Sequence, residues 1–228
     1  MNSDRRGSLL LGVCALLAAC STGTAAPAGA PTAVARECTV GADDRLTSVQ
    51  AVDGTIRTEI RYATTNNFTG ERLPGYDRPV ALLRPEVARA LGRVQARLRE
   101  QGLGLKVFDG YRPVRATLAM VDWAERTGRR WVLEQGYVAR ASGHNRGHTV
   151  DLTLVRLGTG EEVDMGTPYD TFSEAAHTAN ATGTVRANRA ILVDAMGAEG
   201  FRNYDKEWWH FSVPGQYPPM DLPLSCFR

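Results

Sequence analysis

Ser142-Gly-His-Asn-Arg-Gly-His-Thr-Val-Asp151 and Glu207-Trp-Trp-His210 constrain this chain more than anything else in it. The first stretch offers His144 and Asp151, and the second offers His210 with Glu207 three residues before it. Two imidazoles and one carboxylate make a three-ligand zinc site that keeps a fourth position open for water. A spare carboxylate beside that water serves as general base. The pattern therefore predicts a fold that brings both stretches to one point, with His144, Asp151 and His210 on a zinc ion and Glu207 beside it. That is the arrangement of a zinc peptidase.

The residue chemistry adds local demands. Asp151 begins the apolar run Val150–Val155, where a carboxylate is costly unless a cation or strong donors meet it. Gly147 lets the chain bend so that His144 and Asp151 face the same point. On a regular strand Glu207 and His210 point to opposite faces, so the site requires a helical turn or a bend between them. Trp208 and Trp209 read as packing residues that dry the pocket wall. The other histidines, His148 and His177, read as a surface residue and a loop residue.

A chain of 228 residues with 43% hydrophobic content supports one good-sized core. The formal charge of +2, without a basic run, does not suggest a nucleic-acid partner. Arg5-Arg6, the apolar run Leu9–Ala19 and then Cys20 read as an export signal too short to span a bilayer. Leu17-Ala18-Ala19-Cys20 resembles a bacterial lipobox, with Cys20 as the lipidated mature N-terminus. An ordinary signal peptide with a chance cysteine is the alternative. Small residues broken by proline and glycine then make a tether over residues 20–37. The domain is expected over 38–228, outside the cytoplasm and anchored by lipid to a bacterial membrane. Its two cysteines, Cys38 and Cys226, either form a disulfide that joins its ends or stay as free thiols.

Within the domain, alternation predicts a half-buried strand over Thr55–Tyr62 and turn formers predict a loop over 63–70. Pro85 starts a helix with the stripe Val87, Leu91, Val94 and Leu98, ended by Gly102 and Gly104. A strand follows over Leu105–Asp109, then the turn Gly110-Tyr-Arg112-Pro113. Pro113 opens a second helix carrying Leu118, Val121 and Ala124. Further strands are expected over Val150–Val155 and Trp208–Val213, with residues 158–184 mostly loop and a helix over Arg186–Met196. Strands and helices do not alternate strictly. The fold class is therefore α+β: one domain with a central, mainly antiparallel sheet flanked by helices, and the zinc site in a cleft on the sheet.

Ser142-x-His144-x-x-Gly147…Asp151 with Glu207-Trp208-Trp209-His210 resembles the VanX-type D-alanyl-D-alanine dipeptidases, which share a zinc-peptidase superfamily with D,D-carboxypeptidases. The likeness extends over Tyr62-Ala-Thr…Asn67-Phe-Thr-Gly70, Asp109-Gly-Tyr-Arg112-Pro113, Asp151-Leu-Thr-Leu154 and Met165-Gly…Asp170. It implies one zinc on His144, Asp151 and His210, Glu207 as catalytic base, and Arg112 on the developing oxyanion. It also implies substrate contacts from Ser142, Asp170 and Tyr62, with Asp170 holding a free amino terminus. Read without the resemblance, Arg112 is equally a structural ion-pair residue and Asp170 a cap before Ser173-Glu174. Thr149 departs from the family pattern, which usually has alanine there, and adds a hydroxyl near the ligands.

The activity implied is zinc-dependent hydrolysis of D-Ala-D-Ala to two D-alanines, with D-Ala-D-Ala or related wall-derived peptides as partners. Two alternatives stand beside it. One is a D,D-carboxypeptidase that trims peptidoglycan stem peptides through a groove open on the amine side. The other is a wall-binding lipoprotein that retains zinc without turnover; Glu207 and Arg112 argue against it, since binding alone needs neither.

Overall fold

The computed structural model describes residues 38–228; the expected signal peptide, tether and lipidation of Cys20 lie outside the described residues. Seven strands and five helices follow in chain order: β1 (Thr47–Ser48), α1 (Val49–Val52), β2 (Arg57–Thr58), β3 (Leu82–Leu83), α2 (Pro85–Arg99), β4 (Leu103–Asp109), α3 (Val114–Arg126), α4 (Trp131–Glu134), β5 (Thr149–Arg156), α5 (Gly183–Gly197), β6 (Arg202–Tyr204) and β7 (Glu207–Ser212). β1 and β3 form a small antiparallel pair, and the main sheet has the order β2-β4-β5-β7-β6. The β2–β4 pair is parallel and the other pairs are antiparallel, so the sheet is mainly antiparallel as expected.

β5 is the centre of the sheet. It is buried at every residue from Thr149 to Val155, and helices and loops cover both of its faces. α2 packs against β4 along its predicted stripe, with Val87, Leu91, Val94 and Leu98 all withdrawn from solvent. α5 packs beside α2 and against β6. α3 turns Val121 and Ala124 inward as expected, but not Leu118. Ala116, Thr117, Met120, Val121 and Ala124 are buried, whereas Leu118 is 56% exposed. Leu118 sits about 100° around the helix from its neighbours in the chain, so it falls outside the stripe that Met120 and Ala124 define.

Other expectations are corrected in detail. Only Arg57–Thr58 of the Thr55–Tyr62 stretch pairs with β4; the chain then tightens into a 3₁₀ turn over Arg61–Ala63. Ile56, Ile60 and Tyr62 are all buried, so the alternation reported burial rather than a full ladder. Gly104 lies inside β4 instead of ending α2, and Pro113 is the cap before α3 rather than its first residue. α5 starts at Gly183 and extends through Gly197. β6 was not legible as a strand, since Arg-Asn-Tyr carries no apolar alternation.

An irregularity in the β4–β5 ladder aligns three polar residues across the sheet. Between Val107 and Asp109, β4 carries an extra residue, Phe108, opposite β5, which places Asp109 directly across from Asp151. Asp151 is in turn the register partner of His210 on β7. Asp109, Asp151 and His210 therefore lie in one row across three strands, re-aimed by a bulge of the kind that often borders functional sites.

Cys38 and Cys226 are disulfide-bonded, with Cα atoms 5.6 Å apart and 188 residues between them in the chain. The bond ties the start of the described domain to its last turn, where Cys226 and Phe227 are fully buried. Closing so long a loop restricts the unfolded chain strongly, by about 3–5 kcal/mol on a chain-entropy account. Urea unfolding in the presence of reductant, or of Cys38→Ser, is expected to show a stability loss of that order with the native fold retained before the transition.

Candidate active site

His144 is set by a single 3₁₀ turn, Gly143–Arg146. Ser142 caps it: the His144 amide donates to the Ser142 hydroxyl (3.2 Å), and the Ser142 amide donates to Asn145 Oδ1 (3.1 Å). The Asn145 amide group reaches back to the Arg112 carbonyl (2.9 Å) and the Thr117 hydroxyl (2.8 Å), fastening the turn to the segment before α3. The turn ends on Gly147 in the left-handed conformation (φ 75°), and a Cβ there would stand 2.5 Å from Leu46. The bend expected at Gly147 is present. Thr149 is buried beside Gly143, and its hydroxyl has no hydrogen-bond partner among the described residues.

Glu207 and His210 both lie on β7, and the strand supplies the bend that their spacing requires. Asn203 pairs with Phe211 while Tyr204 pairs with Glu207, so three residues of β7 are looped out opposite a single step of β6. The Asn203 side-chain amide spans this loop, donating to the carbonyls of both Glu207 and His210 at 3.0 Å each. The result brings Glu207 Oε2 to 3.5 Å from His210 Nδ1.

The structure thus brings His144, Asp151 and His210 to one point. Asp151 Oδ1 is 3.0 Å from His210 Nδ1 and 3.3 Å from His144 Nε2, and the two imidazole nitrogens are 3.4 Å apart. Donors bound at ~2.0–2.1 Å to one tetrahedral cation stand about 3.3 Å from each other, so the three atoms fit such an ion. His144 Nδ1 is engaged by the Gly110 carbonyl at 2.7 Å, which leaves Nε2 as the unprotonated nitrogen facing the cluster. Asp151 Oδ1 is buried and receives no well-formed hydrogen bond from any described residue, so its lone pairs are open to a cation. Among the described residues these are the one group of three such side chains so placed. His148 instead bonds the Val213 carbonyl (2.7 Å) and His177 the Tyr137 hydroxyl (3.0 Å), so neither joins the cluster.

A cavity of about 370 Å³ opens onto this cluster, lined also by Arg112, Glu207, Ser142, Tyr62 and Asp170. Arg112 is buried and doubly bonded to Asp109 Oδ2, from Nε at 3.0 Å and Nη2 at 2.9 Å, and its guanidinium lies over the Tyr62 ring. Asp109 also accepts from the Tyr76 hydroxyl at 2.6 Å. Arg112 is therefore both an ion-pair residue and a wall of the cavity. The Tyr62 hydroxyl in turn lies 3.0 Å from each oxygen of Asp170. Asp170 makes no cap to the Ser173–Glu174 segment; Ser173 itself stands at that position. Ser142 lines the cavity while its hydroxyl serves the turn. Trp209 forms part of the wall, and Trp208 packs behind it with its indole nitrogen on Thr167.

The electrostatics divide the carboxyls into two kinds. Burial works to raise Asp151, but the two imidazoles, His144 foremost, outweigh it and hold the group well below the usual carboxylate range. Burial, reinforced by the charges of Asp151 and Asp170, pushes Glu207 well above its ordinary value. Burial and then Asp151 push Asp170 up to about 8. One carboxylate thus stays ionised beside the histidines while another is basic enough to accept a proton. Sequence reasoning assigned no role to Asp109, Tyr76, Asn203 or Tyr169. Asp109 alone carried a signal, since it stands three residues before Arg112 in the quoted motif.

A buried donor triad, a basic glutamate and an arginine around a small cavity on an α+β sheet define a hydrolase of the metallopeptidase class. The profile of the D-ala-D-ala dipeptidase family of M15 peptidases matches residues 43–228, and this chain belongs to that family. It is 37% identical over 188 residues to the D-alanyl-D-alanine dipeptidase of Streptomyces coelicolor, covering 75% of this chain and 93% of that protein. It is 38% identical over 173 residues to the Enterococcus faecalis D-alanyl-D-alanine dipeptidase, covering 69% and 86%. For that of Escherichia coli the figures are 32% over 173 residues, 74% and 86%.

Replacing Asn203 by alanine is expected to leave the Glu207 and His210 carbonyls short of a donor and loosen the β7 loop. The expected cost is about 1–3 kcal/mol in urea unfolding, with weakened zinc retention in a chelator competition.

Proposed function

We propose that the protein hydrolyses D-Ala-D-Ala to two D-alanines, with one zinc ion held by His144, Asp151 and His210. The observation that carries this reading is the cavity itself. It gathers the donor triad, Glu207, Arg112, Tyr62 and Asp170 around one space, in a member of the dipeptidase family. Bound there, zinc would lower the pKa of a coordinated water toward ~7 and polarise the scissile carbonyl.

The remaining work falls to side chains. Glu207, made basic by burial, takes the proton of the attacking water and passes it to the leaving amine nitrogen as the C–N bond breaks. Arg112, held rigid by Asp109, directs its free N–H groups at the carbonyl oxygen as negative charge gathers there. The substrate ammonium pairs with Asp170, whose carboxyl is otherwise starved of positive charge. Phe68 and Phe172 also line the cavity, Phe68 edge-on to Tyr62 at 6.1 Å and Phe172 edge-on to Phe68, and their bulk favours a substrate that stops at its amine. A carboxypeptidase acting on long stem peptides needs the amine side open.

Free D-alanine released from D-Ala-D-Ala, compared with a stem peptide ending in the same pair, tests the reading. The dipeptide is expected to be cleaved and the stem peptide spared, with Glu207→Ala lowering kcat by about 10²–10⁴. Equal cleavage of the stem peptide would move the protein to the carboxypeptidase class.

We propose further that the domain works outside the cytoplasm on wall-derived peptides, held by a lipid on Cys20. Support comes from the Arg5-Arg6, Leu9–Ala19, Cys20 pattern and from the Cys38–Cys226 bond, which oxidising compartments sustain. Cys20→Ala is expected to shift the protein from the membrane to the soluble fraction; unchanged fractionation would sink the anchored reading.

A further inference from the structure

Hydrolysis by Glu207, Arg112 and Asp170 makes no use of the hydroxyl of Tyr169, a buried residue behind the cavity wall. Its ring is fixed by packing: it stacks on Phe108 at 4.6 Å and 21° and meets Trp209 edge-on at 5.4 Å and 78°. A phenylalanine would pack there equally well, and burying a hydroxyl is costly unless it is bonded. The hydroxyl is bonded. It lies 2.9 Å from Asp151 Oδ2 and 3.0 Å from the Tyr62 hydroxyl.

A phenol has one proton, which decides how these contacts are used. The Asp151 carboxylate is a stronger acceptor than the neutral Tyr62 hydroxyl and makes the shorter contact, so the Tyr169 proton goes to Asp151. Arg112 Nη2 stands 3.7 Å from the same Oδ2, beyond a direct hydrogen bond. Tyr169 is therefore the hydrogen-bond donor to Oδ2 among the described residues. The other oxygen, Oδ1, is left to face both imidazoles.

The backbone agrees. Asp170 is the one described non-glycine residue with a positive φ, 60°. In an extended chain successive side chains point to opposite sides, whereas this left-handed residue lets Tyr169 and Asp170 both enter the same polar cluster. Such a conformation is kept where the surroundings require it.

We infer that Tyr169 is a positioning residue for the metal-binding carboxylate: its hydroxyl clamps Asp151 through Oδ2 so that Oδ1 faces the two histidines. This inference rests on the zinc reading of the site.

The test is zinc affinity by chelator competition on the full chain, for wild type, Tyr169→Phe and Tyr62→Phe, with the melting temperature of each metal-free protein. Tyr169→Phe is expected to keep that melting temperature, to lose about 10–100-fold in zinc affinity, and to lower kcat more than it changes KM. Tyr62→Phe is expected to keep zinc affinity and to raise KM. Unchanged zinc affinity in Tyr169→Phe overturns the inference. A wild-type protein that binds no zinc overturns the zinc reading instead. Should Tyr169→Phe lower the metal-free melting temperature, Phe108→Leu serves as the packing control, since it loosens the same stack with the hydroxyl kept. An equal loss of zinc affinity in that control overturns the inference, and a smaller loss sustains it.

Discussion

The carboxylate of Asp151, buried in the middle strand of the main sheet, is the constraint on which the rest of the structure depends. An ionised group in that position is tolerated only because two imidazoles, a tyrosine hydroxyl and a nearby guanidinium converge on it. Asp109, Asp170 and Glu207 crowd the same region, and Arg112 is the permanent cation among them. Positive charge is short at the centre of the molecule. Burial first, and that shortage with it, pushes Glu207 and Asp170 upward, and a divalent cation or a substrate ammonium would relieve the shortage.

Regular β-structure cannot assemble such a site, because it spreads successive side chains over two faces. The sheet departs from regularity at the places where the site needs it. One extra residue at Phe108 turns Asp109 toward Asp151, and the looped segment of β7 turns Glu207 and His210 to one side. Each departure has its own support. Phe108 is stacked against Tyr169, and the Asn203 amide holds both ends of the β7 loop. The positioning groups are themselves held by packing or hydrogen bonds, which preorganises the cavity.

Much of this was legible in the sequence. His144, Asp151, Glu207 and His210 stood out by residue type and spacing, and Gly147 announced the bend that the 3₁₀ turn requires. The α2 stripe and the central strand could be read from periodicity, since both bury one continuous apolar surface. The supporting groups could not be read in the same way. Asn203 and Tyr169 act through contacts with residues far along the chain, and nothing local distinguishes them from surface polar or core aromatic residues. Leu118 misled for a related reason: it lies just outside the arc that Met120, Val121 and Ala124 share, and packing alone decides where that buried arc ends.

By itself, then, the sequence determined which atoms are available for the chemistry: two imidazoles, an aspartate, a glutamate and an arginine, on strands and turns of predictable kind. Only the tertiary structure decided how those atoms face each other. Whether Glu207 and His210 share a side, which oxygen of Asp151 is free, and which hydroxyl holds the other depend on ladder register and long-range burial. A single-residue slip in register moves a side chain to the opposite face of a sheet, and local sequence carries no signal for the bulges that fix it here.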